Sequence, residues 1–100
     1  MAKGYWIGRV DVHDDAAYRR YIEANAAAFR RFNGRFLVRG GNAEVVEGQA
    51  RQRNVVIEFP DHATALACYR STQYAEAMAH RLPASEADIV VVEGYDGPQP

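Results

Sequence analysis

The stretch Arg35-Phe36-Leu37-Val38-Arg39-Gly40-Gly41 alternates like a β-strand and then sets a long cation immediately before two glycines. Gly-Gly takes positive φ at little steric cost and suits a bulge or strand corner, so Arg39 is presented at a defined point of the fold. A guanidinium there has two uses. It can aim its planar fork at an anionic or carbonyl-bearing ligand, or it can pair with a buried carboxylate and serve packing alone. Asn25, Tyr69, Tyr74, Arg81 and Asp88 are polar or half-polar residues at or beside the inward stripes of adjoining elements. If they converge with Arg39 between a sheet and its helices, they line a pocket with cationic and phenolic donors. Such a pocket suits a small carboxylate, quinone or enol, whose developing oxyanion the donors would stabilise. The competing arrangement is a buried Arg–Asp pair with the tyrosines reaching to the surface. Residue types leave both open.

Other chemistries find less support. His13, His62 and His80 are scattered near predicted element ends and form no pair at ligand spacing, so no metal is expected. His13 lies beside Asp14 and Asp15, but helix capping accounts for those two aspartates. Gly40-Gly41 leads into a strand rather than a helix, so it is no phosphate cradle. No nucleophile stands beside an evident base, and no cofactor motif is present. Cys68 is the only cysteine and sits among Ala and Leu, which reads as a small buried hydrophobe. A lone cysteine also excludes an intrachain disulfide and fits a reducing compartment.

Bulk properties narrow the partners. The chain has 100 residues, 48% hydrophobic and 25% charged, which suits one domain over 1–100 with an ordered core from about residue 4 to 95. Its net charge of -1 argues against nucleic acid or an anionic membrane, because both need a clustered basic surface. Arg19-Arg20, Arg30-Arg31 and Arg51/Arg53 are interleaved with acids and read as a mixed solvated surface. No signal-like or membrane-spanning run follows Met1, and a cytoplasmic location is the expectation.

The elements that must position the polar set follow from periodicity. Tyr5 to Val12 alternates as a first strand. Tyr18, Ile22, Asn25, Phe29 and Phe32 recur at helical spacing, ended by Asn33-Gly34 as a left-handed cap. Asn25 is the one member of that stripe that needs a hydrogen-bond partner. A second strand covers Arg35 to Arg39 and is expected to resume at Ala43 to Glu47 after the glycine corner. Arg53 to Phe59 is the third strand, and Pro60 ends it. Asp61 caps a helix whose inward stripe is read as Ala63, Leu66, Ala67 and Tyr69. Ser71-Thr72 interrupts it and caps a second segment carrying Tyr74, Met78 and Arg81, which Pro83 stops. Glu86 to Tyr95 is the fourth strand.

This order is the α+β, ferredoxin-like βαββαβ arrangement: a four-stranded antiparallel sheet with its helices on one face. The third and fourth strands are apolar on both sides, at Val55-Val56-Ile57 and Ile89-Val90-Val91-Val92. Helices cover one face only. The other is expected to meet a second copy of itself, giving a homodimer.

Residues in this order also carry a resemblance. Gly4-Tyr5-Trp6-Ile7, Asp11-Val12, Tyr18 and Tyr21, Phe36 to Gly41, Glu47-Gly48 and Val55 to Pro60 occur in sequence. With Tyr69, Ser71, Tyr74 and Val91-Val92-Glu93-Gly94, they resemble the family called domain of unknown function 1330, from Gly4 to about Gly94. The resemblance implies a dimeric α+β barrel and no established reaction. One departure is visible: the family often reads Ser-Pro-Glu-Tyr where this chain has Ser71-Thr72-Gln73-Tyr74. Two functional classes follow. One is an enzyme like the cofactor-independent oxygenases and isomerases built on the same barrel, and the other is a dimeric binding or interaction protein without turnover.

Overall fold

A computed structural model describes residues 2–100. β1 (Gly4–Val12) is one of the two strands that pair on both sides. Its period of two buries Trp6 and Val10 on one face and turns Ile7 and Arg9 to the other. β3 (Arg53–Phe59) and β4 (Ser85–Glu93) flank it antiparallel, and β2 (Arg35–Arg39) pairs with β3. The sheet order is therefore β2-β3-β1-β4, the ferredoxin-like order.

α1 (Asp15–Arg31) starts where Asp14 accepts from the Ala17 N–H and stops at Asn33, whose φ of 58° is the left-handed cap. The second helical stretch is broken as expected. α2 (His62–Tyr69) is capped by Asp61 and α3 (Thr72–Arg81) by Ser71, whose Oγ accepts from the Tyr74 N–H at 3.1 Å. A single 3-10 turn at Leu82–Ala84, holding Pro83, leads into β4.

All three helices lie on the Trp6 face and close one core. Trp6 is its centre: ring centroids of Phe29, Phe59, Tyr69 and Tyr74 lie 5.1, 5.6, 5.5 and 4.9 Å away. Its indole N–H donates to the Ala65 carbonyl at 2.8 Å, which ties α2 to β1 and satisfies a buried donor.

Three expectations need correction. Residues 43–47 form no strand, since no other segment of this chain pairs with them, and Val45 and Val46 are exposed. The fully buried residues of α2 are Ala65 and Cys68; of the expected stripe Tyr69 packs against the core, while Ala63 and Ala67 are exposed and Leu66 is half-buried. With an apolar residue at nearly every position, the eight-residue α2 gives periodicity too little contrast to fix its rotation. β4 runs from Ser85 to Glu93, one residue earlier at its start and two at its end than the hydrophobic run suggests. Among the described residues, no helix is long and apolar enough to cross a membrane.

Candidate ligand cleft

Between the sheet and α1 the core is incomplete. β1 contributes Gly8 between Trp6 and Val10, and its missing side chain leaves a gap over the sheet. A cleft forms there, with about 40 Å³ open to the centre of a water-sized sphere. Its apolar wall includes Trp6, Phe29, Phe36, Ile57 and Ile89, and its polar groups come from Tyr18, Tyr21, Asn25, Arg39, Arg53 and Arg81. No carboxylate, histidine or thiol is among the lining residues.

Three polar atoms of this lining are buried without a hydrogen-bond partner: Asn25 Oδ1, Arg53 Nε and Arg81 Nε. Native interiors rarely leave such groups unpaired, since each loses its hydration without compensation. Arg81 is only 5% exposed and closes α3 against the cleft. Its guanidinium lies 5.7 Å from the Tyr21 ring centroid, and it pairs with no carboxylate among the described salt bridges. Burial works against its charge, but the neighbouring Tyr74 and Tyr21 oxygens outweigh it and hold the group protonated. Arg53 reaches the cleft from the first residue of β3, with its charge 5.6 Å from the Tyr18 ring. Arg39 stands at the exposed mouth, stacked 4.1 Å over Phe36.

The glycine corner holds this arrangement. Gly40 has φ of +70° and donates its N–H to the Asn54 carbonyl at 2.8 Å. A side chain there would push the flexible Arg53 guanidinium aside, and the left-handed backbone is what calls for glycine. Gly41 has neither constraint.

Tyr21 and Tyr74 form a hydroxyl pair at 2.8 Å behind the cleft wall. Burial pushes the Tyr21 phenol well up, with Tyr74 adding to it. Burial also raises Tyr74, although Tyr21 and Arg81 oppose the rise. Both are therefore neutral phenols at ordinary pH, able to donate but not poised as bases.

Of the six residues singled out from sequence, Asn25, Arg39 and Arg81 line the cleft directly. Tyr74 touches it through Tyr21, and Tyr69 packs on Trp6 with its hydroxyl toward Met78 sulfur at 3.7 Å. Asp88 is elsewhere. It pairs with Arg9 in the sheet register, on the face away from the helices, and accepts from Arg51 Nε at 2.9 Å. Sequence reasoning missed Tyr21 and Arg53. Tyr21 lies three residues after Tyr18 and four before Asn25, and Arg53 alternates in phase with Ile57 and Phe59, so both signals were present. Cys68 is buried, and burial alone pushes its thiol up to about 12, which makes it inert. Among the described residues, no group of His, Cys, Asp and Glu is placed to hold a metal ion.

Solved structures share this fold. A protein of unknown function from Rhodopseudomonas palustris, RPA0582, superposes with a TM-score of 0.75 at 17% identity, over 96% of this chain and 85% of that one. SnoaB, a cofactor-independent oxygenase from Streptomyces nogalater, gives 0.65 at 14% identity, over 100% of this chain and 97% of that one. NE2512, a protein of unknown function from Nitrosomonas europaea, gives 0.62 at 18% identity, over 100% and 96%. At these identities the likeness carries the ferredoxin-like α+β fold and nothing finer. No curated protein matches this sequence. Ser71 caps α3, and Gln73 in its first turn accepts from Arg31 at 2.7 Å. Residues 3–95 match the model of the domain of unknown function DUF1330, and the chain belongs to that family.

Proposed function

We propose that this protein binds a small anionic or carbonyl-bearing metabolite in the cleft between sheet and helices. The observation that carries the reading is Arg81: a guanidinium 5% exposed, lining the cleft, with an unpartnered Nε. A buried cation without a counter-ion is costly, and an incoming carboxylate or enolate supplies what the fold omits. Arg53 and Arg39 extend the same positive lining to the mouth. Any turnover here would rest on stabilising an oxyanion, as in an isomerase or a cofactor-independent oxygenase, the class printed for SnoaB.

A second reading, binding without turnover, is favoured by the lining itself. It offers no carboxylate or imidazole to abstract a proton, and burial holds the Tyr21 and Tyr74 phenols neutral. Native mass spectrometry of the purified protein, followed by calorimetric titration with benzoate, tests both. A copurifying acid or a benzoate complex that Arg81→Met abolishes supports the site, while benzoate binding unchanged in Arg81→Met sinks it.

The reading includes a homodimer and a cytoplasmic location. The sheet face opposite the helices exposes Val90, Val92 and Val38 around Ile7 and Val56, an apolar patch suited to a second copy. Sedimentation at micromolar concentration should show a dimer in the parent and a monomer in Val90→Glu. A parent that sediments as a monomer throughout that range excludes the dimer.

A further inference from the structure

Asn25 adds a demand that an anion does not meet. It sits mid-helix in α1, 5% exposed, on the cleft wall, and its Oδ1 has no hydrogen-bond partner. A bare carboxylate has only acceptors and would answer Arg81 and Arg53 while leaving this oxygen unpaired or repelled. An apolar residue would serve packing better at this position, so a buried amide that faces the cleft is itself a recognition element.

We infer that the ligand is a hydroxylated carboxylate, with its acid on the Arg81–Arg53 side and a hydroxyl donating to Asn25. The inference rests on the anion reading above and narrows it. A hydroxyl both donates and accepts, so it serves either end of the Asn25 amide. Phe29 and Phe36, packed edge to face with ring centroids 5.4 Å apart, join Ile57 and Ile89 in an apolar wall for the ligand body between the two polar groups. Asn25 is then the residue that selects hydroxylated acids over their unhydroxylated counterparts, because a ligand lacking the hydroxyl leaves the buried oxygen unpaired.

Calorimetric titration of the full chain with benzoate and with ortho-, meta- and para-hydroxybenzoate provides the test. At least one hydroxylated isomer should bind the parent about tenfold or more tightly than benzoate. Asn25→Leu should lose that preference, binding no hydroxylated isomer more tightly than benzoate. If benzoate and all its hydroxylated isomers bind the parent alike, the hydroxyl inference is overturned and the anion site stands. If none of them binds, the anion reading falls and takes the inference with it. A preference retained in Asn25→Leu also overturns it, because another group then reads the hydroxyl. Should the leucine variant fail to fold, the ranking of isomers by the parent decides alone.

Discussion

Arg51 and Arg81 lie on opposite faces of one sheet and are treated in opposite ways. Arg51, on the face away from the helices, meets Asp11 and Asp88 at 2.9 Å each and Glu86 at 3.4 Å. Asp11 also accepts from the Gln52 N–H, so the end of the β2–β3 connection is fastened to β1 and β4 through saturated charge. A polar depression of about 360 Å³ opens there, roomier than the cleft and lined also by Arg9, but Arg51 within it is already neutralised. Arg81 has less space around it and no carboxylate among the described residues that line its cleft. Three acids on one arginine describe a structural clamp, whereas the buried Arg81 meets no acid among the described salt bridges. Cation count alone would not separate the two faces. What separates them is whether the counter-charge is supplied by the chain.

The sharpest way to break this contrast is to remove each arginine in turn. Arg81→Met should lower benzoate affinity about 100-fold or more, the scale expected for losing a desolvated charge contact. It should leave thermal stability equal or higher, because methionine fills the space without an unpaired cation. Arg39→Met, at the exposed mouth, should weaken binding less and leave the fold intact. Arg51→Met should do the reverse: benzoate binding unchanged and melting temperature lowered, most at low salt, where the remaining acids repel one another. If Arg81→Met destabilises as a broken ion pair would and Arg51→Met affects binding, the two roles have been assigned backwards.

Gly40→Val should cost about 1–3 kcal/mol through its left-handed backbone, read from chemical denaturation. It should also weaken ligand binding, since the new side chain displaces Arg53. Gly41→Val is the control and should melt like the parent, having open space and no positive φ.

A smaller effect separates shape from charge. A Cβ at Gly8 would sit 3.7 Å from Ile89 in ordinary contact, so Gly8→Val should fold normally. Its methyls would occupy the cleft floor and reduce benzoate affinity about tenfold, with every cation in place. Unchanged affinity would move the binding site out of this cleft.

The smallest expected effect is in pH dependence, where each face governs one limb. The Gln52 N–H first, and Arg51 after it, hold Asp11 below its ordinary 3.8. Its folded value is lower than its unfolded one, so its contribution is present above about pH 4 and lost as pH falls through the folded value. Tyr21 and Tyr74 are raised above 10.0, mainly by burial, so their contribution is present below pH 10 and lost as pH rises. Melting curves of Asp11→Asn and Tyr21→Phe against the parent should therefore converge with it in acid and in alkali respectively. A Tyr21→Phe curve parallel to the parent above pH 10 would remove the alkaline assignment.

Much of this molecule follows from the order of its residues. Alternation in Tyr5–Val12 and Arg53–Phe59, the caps at Asp61 and Ser71 and the stop at Asn33 are local effects, each decided within a turn or a few strand residues. The placement of Arg39 by the glycine corner and the presence of Asn25 and Arg81 on inward stripes were legible for the same reason. Which way Asp88 points was not. β4 is apolar on both faces, so its phase carries no signal, and only the pairing of Asp88 with Arg9 turns it to the outer side. The rotation of α2 was decided in the same way, by the indole N–H of Trp6 reaching the Ala65 carbonyl 59 residues away. Whether an arginine is paired depends on side chains brought together from distant segments. The sequence supplied the cations, and tertiary packing decided that Arg51 would be neutralised and Arg81 buried without a carboxylate partner among the described salt bridges.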